Sequence, residues 1–348
     1  MSVVIVTVLQ NKNSATIPVL PGQSLLSALR DFGCPVNSPC GGNGTCGQCR
    51  VLSGGKYISA CKFFPVSNCT VSLPDFGQTY VTAVNPLNIE AGGRGLGAAI
   101  DIGTTTVAAY LYDLKSGLRA GEYGARNAQF SFGADVISRI KYSSDKEGLN
   151  KLSSIIRRQI SAAVRAMCTE SGHSEKNVSI IAVAGNTVMQ HIFSGLSPEG
   201  IGIFPYEPLS LFGGNYPAAS MFDGMAPDAE IYLCPALSGY VGGDITAGLL
   251  GSGAGNEEKI CLFADIGTNG EMCIGNKDGF LCCAAAAGPA FEGAGTDCGT
   301  DARKGAVNRV YYVNNEIKFD VIGDVKATGI CGSGLIDAVA ALDRKSVV

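Results

Sequence analysis

The feature that most constrains this chain is an aperiodic, glycine-rich stretch, Cys40-Gly41-Gly42-Asn43-Gly44-Thr45-Cys46-Gly47-Gln48-Cys49, followed at short distance by Cys61. A segment without hydrophobic period is neither an ordinary helix nor a half-buried strand, so something other than apolar burial must organise it. Six of the 14 cysteines (Cys34, Cys40, Cys46, Cys49, Cys61 and Cys69) lie in the first 69 of 348 residues, which marks that part as a separate module. The opening Ser2-Val3-Val4-Ile5-Val6 lacks a basic start, and no apolar run reaches the ~18 residues of a membrane span. The sequence therefore predicts a cytoplasmic protein. In that reducing compartment clustered cysteines act as metal or redox ligands rather than as disulfides. A formal net charge of −4 without a basic patch argues against nucleic acid or an anionic membrane as partner.

Four thiolates grouped in this way can hold a 2Fe–2S cluster, with glycines letting the loop wrap closely and backbone N–H groups pointing at the sulfurs. The Cys-x5-Cys-x2-Cys order of Cys40, Cys46 and Cys49 is one residue wider than the plant-type spacing. A four-cysteine zinc site is the rival, although zinc ribbons usually carry two matched Cys-x2-Cys knuckles and only one is present. Cys61, ending Ile58-Ser59-Ala60-Cys61, is the favoured fourth ligand because a short strand would return it beside the loop; Cys69 is the alternative. Cys34, Cys168, Cys234, Cys261, Cys273, Cys282, Cys283 and Cys331 read as small packed hydrophobes.

Around this loop, residues 3–8 and 16–20 predict a β-hairpin turning at Asn11-Lys12-Asn13-Ser14. Leu25, Leu26, Leu29 and Phe32 predict a helix that stops at Gly33, and residues 49–52 and 70–73 read as strands. Glycine and proline punctuate the chain from Pro74 to Gly97, which reads as a linker. From Ala98 the texture is apolar strands alternating with glycine turns and amphipathic helices, the pattern of an α/β domain. Its clearest helix covers about 149–168, with Leu152, Ile156, Ile160 and Val164 in one stripe. The expected organisation is an α+β module over 1–76, a linker over 77–97 and an α/β domain over 98–348.

One internal echo stands out. Ala99-Ile100-Asp101-Ile102-Gly103-Thr104-Thr105 returns 164 residues later as Phe263-Ala264-Asp265-Ile266-Gly267-Thr268-Asn269, which suggests two related halves with a ligand between them. A carboxylate at a strand end can hold Mg²⁺ through waters, a glycine lets the backbone approach, and hydroxyls and amides bind phosphate oxygens. Asp101 and Asp265 are thus the candidate catalytic carboxylates, with Gly103, Thr104, Thr105, Gly267, Thr268, Asn269 and Gly270 as phosphate-binding candidates. Asp244 follows the glycines of Ser238-Gly239-Tyr240-Val241-Gly242-Gly243 at the start of an apolar helix, where it either faces the phosphates or caps the helix. Ala184-Gly185-Asn186-Thr187 follows another apolar strand and could line the same cleft. His173 and His191 have no partner at triad or metal spacing.

The first ~75 residues resemble a β-grasp ferredoxin, and the rest resembles the actin-like ATPase fold shared by acetate and sugar kinases and heat-shock chaperones, the ASKHA fold. The combination resembles the reductive activators of corrinoid enzymes. That resemblance implies an ATP-hydrolysing redox activator with a 2Fe–2S cluster on Cys40, Cys46, Cys49 and Cys61 and with ATP and Mg²⁺ between the two turns. It implies passage of an electron to Co(II) corrinoid in a corrinoid protein or methyltransferase, supplied by an electron donor protein. Gly288-Pro289-Ala290-Phe291-Glu292-Gly293 and Asp297-Cys298-Gly299 also resemble a stretch of that family. Two departures are expected. Only about 21 residues separate ferredoxin from ATPase where the family carries linking and middle regions. The sequence stops at Val348, short of the family's adenosine-binding turn, so the second half is expected to be incomplete, truncated at its C-terminus. The competing readings are a ferredoxin-type electron carrier whose C-terminal region only docks a partner, and a small-molecule kinase, which leaves the ferredoxin unexplained.

Overall fold

The computed structural model describes residues 3–10, 13–34, 36–38, 40–47, 49–73, 89–133, 135–267, 269–285, 298–300 and 302–344. Residues 74–88 of the expected linker and the motif from Gly288 to Asp297 lie outside these residues.

Five strands and one helix form the N-terminal module: β1 (Val4–Gln10), β2 (Asn13–Val19), α1 (Leu25–Asp31), β3 (Arg50–Ser53), β4 (Lys56–Ser59) and β5 (Cys69–Ser72). The sheet order is β2-β1-β5-β3-β4, with β1 and β5 parallel. This is the ferredoxin-type β-grasp arrangement. The β1–β2 ladder runs to Gln10 opposite Asn13, so Asn13 and Ser14 are strand rather than turn. α1 starts where the Ser24 hydroxyl accepts from the Ser27 N–H at 3.2 Å. It buries Leu25, Leu26, Ala28 and Leu29 in a core with Val6, Val8, Ile17 and Val51. Phe32, expected on that stripe, is 52% exposed because the helix ends one residue earlier and the chain turns at Gly33 with φ +70°.

The second body begins with β6 (Leu96–Ile102), inside the expected linker, then β7 (Thr106–Asp113), β8 (Arg119–Arg126), α2 (Val136–Tyr142), α3 (Lys146–Glu170), β9 (Val178–Gly185), α4 (Thr187–Ser194), α5 (Glu199–Gly202), β10 (Gly214–Pro217) and β11 (Glu230–Leu233). Its six strands lie in the order β10-β11-β9-β6-β7-β8. α3 covers the sheet with Leu152, Ile156, Ile160, Val164 and Met167, all buried, and is opened by Asp145, whose carboxylate accepts from Gly148 N–H at 2.7 Å. α6 (Gly243–Gly251) then leads to the second half. That half comprises β12 (Cys261–Ile266), β13 (Gly270–Asn276), β14 (Gly279–Ala285), β15 (Ala306–Val313), β16 (Glu316–Val321), β17 (Gly329–Ile330) and α7 (Gly332–Arg344). Its strands form two three-stranded sheets, β12-β13-β14 and β16-β15-β17. Whole-chain architecture is thus a β-grasp ferredoxin followed by an actin-like ASKHA domain built from two related halves. No described helix is long and apolar enough to cross a membrane.

Candidate functional site

The cysteine loop leaves α1 at Gly33 and returns through β3, and the short β4 strand carries Cys61 back beside Cys49. Cys40 and Cys46 Sγ lie 3.3 Å apart, and Cys49 and Cys61 Sγ lie 3.2 Å apart. Two pairs of thiols suit a two-iron cluster, in which each iron takes two cysteines. Electrostatics points the same way. Burial opposes the Cys40 thiolate, but the N–H groups of Cys46, Gly42 and Thr45 together with the Cys46 thiol outweigh it and bring its pKa down to about 5. Cys61 is pushed up to about 11 by burial and by its crowding against Cys49, Cys40 and Cys46. A metal cation beside these sulfurs would relieve the crowding that Cys61 meets. Cys69 opens β5 and Cys34 lies past Gly33, both packed against the apolar core of the module.

The second candidate site lies between the two halves of the ASKHA domain. Asp101 and Asp265 occupy equivalent places one residue before the ends of β6 and β12. With Gly103, Thr104, Thr105, Asn186, Asp244, Gly267, Asn269 and Glu271 they line a cleft of about 220 Å³. Thr268 falls outside the described residues, and Gly270 opens β13 opposite Ile266. A Cβ on Gly103 would sit 2.7 Å from Thr106 O, so this turn closes only around glycine. Asp244 stands in the first turn of α6, whose N-cap is Gly242, and its carboxylate accepts from the Ile245 N–H at 2.9 Å while facing the cleft. α6 reaches that place because Gly242 carries no side chain: a Cβ there would lie 2.6 Å from the Asn186 Cα.

Four carboxylates meet in this cleft, and no lysine or arginine is among its described lining residues. Asp101 is exposed on the side that faces the cleft, with protein packed densely around it. Burial, with Asp244 and Asp265 nearby, pushes it up to about 7. Burial also lifts Asp244 to about 6, with Asp265 adding to the effect. Glu271 reaches about 7 through burial, Asp244 and Asp265. In all three burial is the largest cause, and a divalent cation in the cleft would relieve the repulsion that adds to it. Sequence reading did not single out Glu271, although its register was the available signal: it is the cross-strand partner of Asp265 in the hairpin that follows the second turn.

Residues that no motif indicated connect the two sites. Asn127, wholly buried, donates from Nδ2 to Gly103 O at 2.8 Å, and its own N–H donates to Thr105 O at 2.8 Å. Arg139, also wholly buried, donates to Thr104 O at 2.6 Å, Gly133 O at 3.1 Å and Gln129 Oε1 at 3.3 Å. Burial pulls its pKa down to about 9. The segment they brace, 127–133, holds the ferredoxin with its other side. Ser131 Oγ accepts from Val36 N–H at 3.1 Å and donates to Val36 O at 2.9 Å, while Ser38 Oγ donates to Ser131 O at 2.7 Å. A partly exposed Lys151–Asp31 ion pair at 3.6 Å adds to this junction. The remaining flagged residues lie elsewhere: His173 and Cys298 are exposed, and His191 is a core residue whose Nδ1 meets Thr187 O at 2.7 Å.

Comparison with known proteins follows the same division. Residues 8–68 match the 2Fe-2S iron-sulfur cluster binding domain, 96–257 the RACo middle region, and 259–348 the C-terminal domain of RACo, the ASKHA domain. The cofactor of the N-terminal module is therefore a 2Fe–2S cluster. The middle region, expected to be replaced by a short linker, is instead the first half of the ATPase-like body. The chain is 36% identical over 258 residues to the corrinoid activation enzyme RamQ of Eubacterium limosum, covering 72% of this chain and 42% of that protein. It is 26% identical over 208 residues, 51% of this chain and 38% of the relative, to a Co(II) methylated amine-specific corrinoid protein reductase of Methanosarcina barkeri. The chain thus spans about two fifths of these curated relatives. Among solved structures, a reductive activator for corrinoid, iron-sulfur protein superposes with a TM-score of 0.66 at 30% identity, covering 98% of this chain and 73% of that one.

Proposed function

The chain belongs to the family of reductive activators of corrinoid proteins, and from that premise we propose that it is an ATP-dependent redox activator returning Co(II) corrinoid to Co(I) in a partner corrinoid protein or methyltransferase. The observation that carries this reading is the junction. One segment, 127–133, grips the first phosphate turn at Gly103 and Thr104 and also the stretch 36–38 that leads to Cys40. A bare electron carrier has no use for such a bridge.

When bound, the 2Fe–2S cluster supplies one-electron storage, and one electron is the whole difference between Co(II) and Co(I). Cys40, Cys46, Cys49 and Cys61 hold it, with the N–H groups of Gly42 and Thr45 turned toward sulfur. Asp101, Asp265, Asp244 and Glu271 would hold Mg²⁺, while Gly103, Thr104, Thr105, Gly267, Thr268, Asn269 and Gly270 would take the phosphates. A cleft of about 220 Å³ is smaller than the roughly 300–1,000 Å³ of pockets that enclose a whole drug-sized ligand, so it fits the phosphate end of a nucleotide with its metal. The nucleotide drives transfer only by binding the transfer-competent arrangement more tightly than the other. An electron donor protein reloads the cluster between turnovers, and the chemistry runs in the cytoplasm without nucleic acid or membrane.

The test is anaerobic. The reduced, cluster-loaded full chain is mixed with a Co(II) corrinoid protein with and without Mg-ATP, and Co(I) absorption is followed. ATP-dependent growth of that band is expected; equal rates with and without ATP would remove the activator reading.

A further inference from the structure

Arg30, in the last turn of α1, lies between the cysteine loop and the ATPase body. Its Nη1 donates to Gly41 O at 2.9 Å and its Nη2 to Ser38 Oγ at 3.0 Å, so it grips the loop on either side of Cys40. Its Cζ stands 5.1 Å from the centre of the Phe132 ring, which belongs to the other domain. Nε is buried and has no hydrogen-bond partner among the described residues. Gly42, at φ +102°, makes room for this contact: a Cβ there would lie 3.4 Å from Nη1 and 3.1 Å from Leu26. Among the described residues no carboxylate forms an ion pair with Arg30. Burial pulls its pKa below the usual value, and Tyr142 with the sulfurs of Cys40, Cys49 and Cys61 pulls it back, which places the guanidinium in electrostatic reach of three cluster ligands.

A guanidinium remains charged, and an unneutralised cation beside a cluster favours the form that carries one more electron. The size of that effect depends on solvent. Under the Phe132 ring the charge is shielded from water and acts at low effective dielectric; with the ring gone, water screens it. We propose that the ATPase body sets the reduction potential of the cluster through Arg30, with docking of Phe132 on the guanidinium raising the potential and undocking lowering it. In the docked arrangement Arg30 stabilises the electron-loaded module; lifted off Phe132 it gives up that stabilisation, and the module becomes the stronger reductant just when the cysteine loop is free to meet a partner. This rests on the cluster and activator reading above. It assigns Arg30 as a positioning residue and Phe132 as the surface it reports on.

The test is an EPR-monitored redox titration of the full, cluster-loaded chain in four forms: unmodified, Phe132→Ala, Arg30→Gln and the double variant, each first checked for cluster content by visible absorption. Phe132→Ala is expected to lower the reduced-to-oxidised ratio about tenfold at a fixed poise, which is about 59 mV for a one-electron couple. Arg30→Gln is expected to lower it at least as far, and the double variant no further than Arg30→Gln, because both changes remove one interaction. Should Arg30→Gln lose its cluster, Arg30→Lys replaces it, with a smaller shift expected because the charge stays. An unchanged midpoint in Phe132→Ala, or shifts that add in the double variant, overturns the proposal. The corrinoid assay separates this from the broader reading: ATP-dependent Co(I) formation with unmoved potentials removes only the Arg30 inference, and the shifts above without Co(I) formation remove only the activator reading.

Discussion

The two Asp-x-Gly-Thr turns share a sequence and differ in what stands behind them. The first closes strands of a covered six-stranded sheet, where Ile100 and Ile102 are 3% and 0% exposed. Its backbone is held from outside by Asn127 and Arg139, and Asn186 donates to Thr104 Oγ1 at 3.0 Å. The second closes a three-stranded sheet whose Leu262 and Ile266 are 66% and 60% exposed. It is closed by a bond of its own, Gly267 N–H to Asn269 O at 2.9 Å, and its distinctive addition is the carboxylate of Glu271. A short motif therefore specifies a turn, while the packing around it determines whether that turn is braced. In this protein the first turn is the rigid, connected one and the second chiefly supplies charge.

The largest expected effect treats the two turns alike. Asp101→Ala and Asp265→Ala should each abolish the ATP response while leaving the visible cluster spectrum intact; Cys46→Ser should do the reverse and remove the spectrum. Equal loss of the spectrum in all three variants would show that the modules are not separable. The next effect is confined to the first turn. Arg139→Met leaves the carbonyls of Thr104 and Gly133 without a buried donor, and unfolding by urea should reveal a loss on the order of 3 kcal/mol.

A narrower comparison uses glycine. At Gly103 an added Cβ would meet Thr106 O at 2.7 Å, whereas at Gly267 the nearest atom is Asn269 O at 3.6 Å. Gly103→Ala should weaken nucleotide binding about tenfold, equivalent to about 1.4 kcal/mol by calorimetry, and Gly267→Ala should leave it nearly unchanged. Similar losses in both would mean that the first turn is no more tightly constrained than the second.

The smallest effect is on pH. Asp101, Asp244 and Glu271 titrate at about 7, 6 and 7 in the folded chain, above their ordinary values near 4. Between those limits the folded state binds more protons than the unfolded state, so the contribution of these groups to stability falls as pH rises from about 4 and is fully lost above about 7. Thermal melts of the nucleotide-free chain should show this decline, and Mg²⁺ with ATP should flatten it by favouring the ionised carboxylates. A decline unaffected by Mg-ATP would place the titrating groups outside the metal site.

Legibility in the sequence followed the range of the interactions. The cysteine loop, the two turns and the α3 stripe are local patterns, and the structure sets Cys40 beside Cys46, Cys49 beside Cys61, and Asp101 and Asp265 in one cleft. Phe32 and the hairpin end shifted because helix and strand termini depend on which residue first finds a better partner outside the element. Asn127, Arg139 and Arg30 gave no signal, since an isolated asparagine or arginine has no period and its partners lie on other elements. The extent of the middle region was also invisible, because the same strand-and-turn texture runs through both halves.

The sequence by itself determined two kinds of chemistry, thiolate ligation and phosphate binding, because each depends on residue types at short spacings that any fold must respect. Only the tertiary structure decided how the two are joined. Val36, Ser38 and Arg30 are more than 90 residues before Ser131 and Phe132, yet hydrogen bonds at 2.7–3.1 Å and one ring contact set them together. Contacts of that range arise where the two modules pack together, because each buried polar group there must find a partner wherever the surfaces meet.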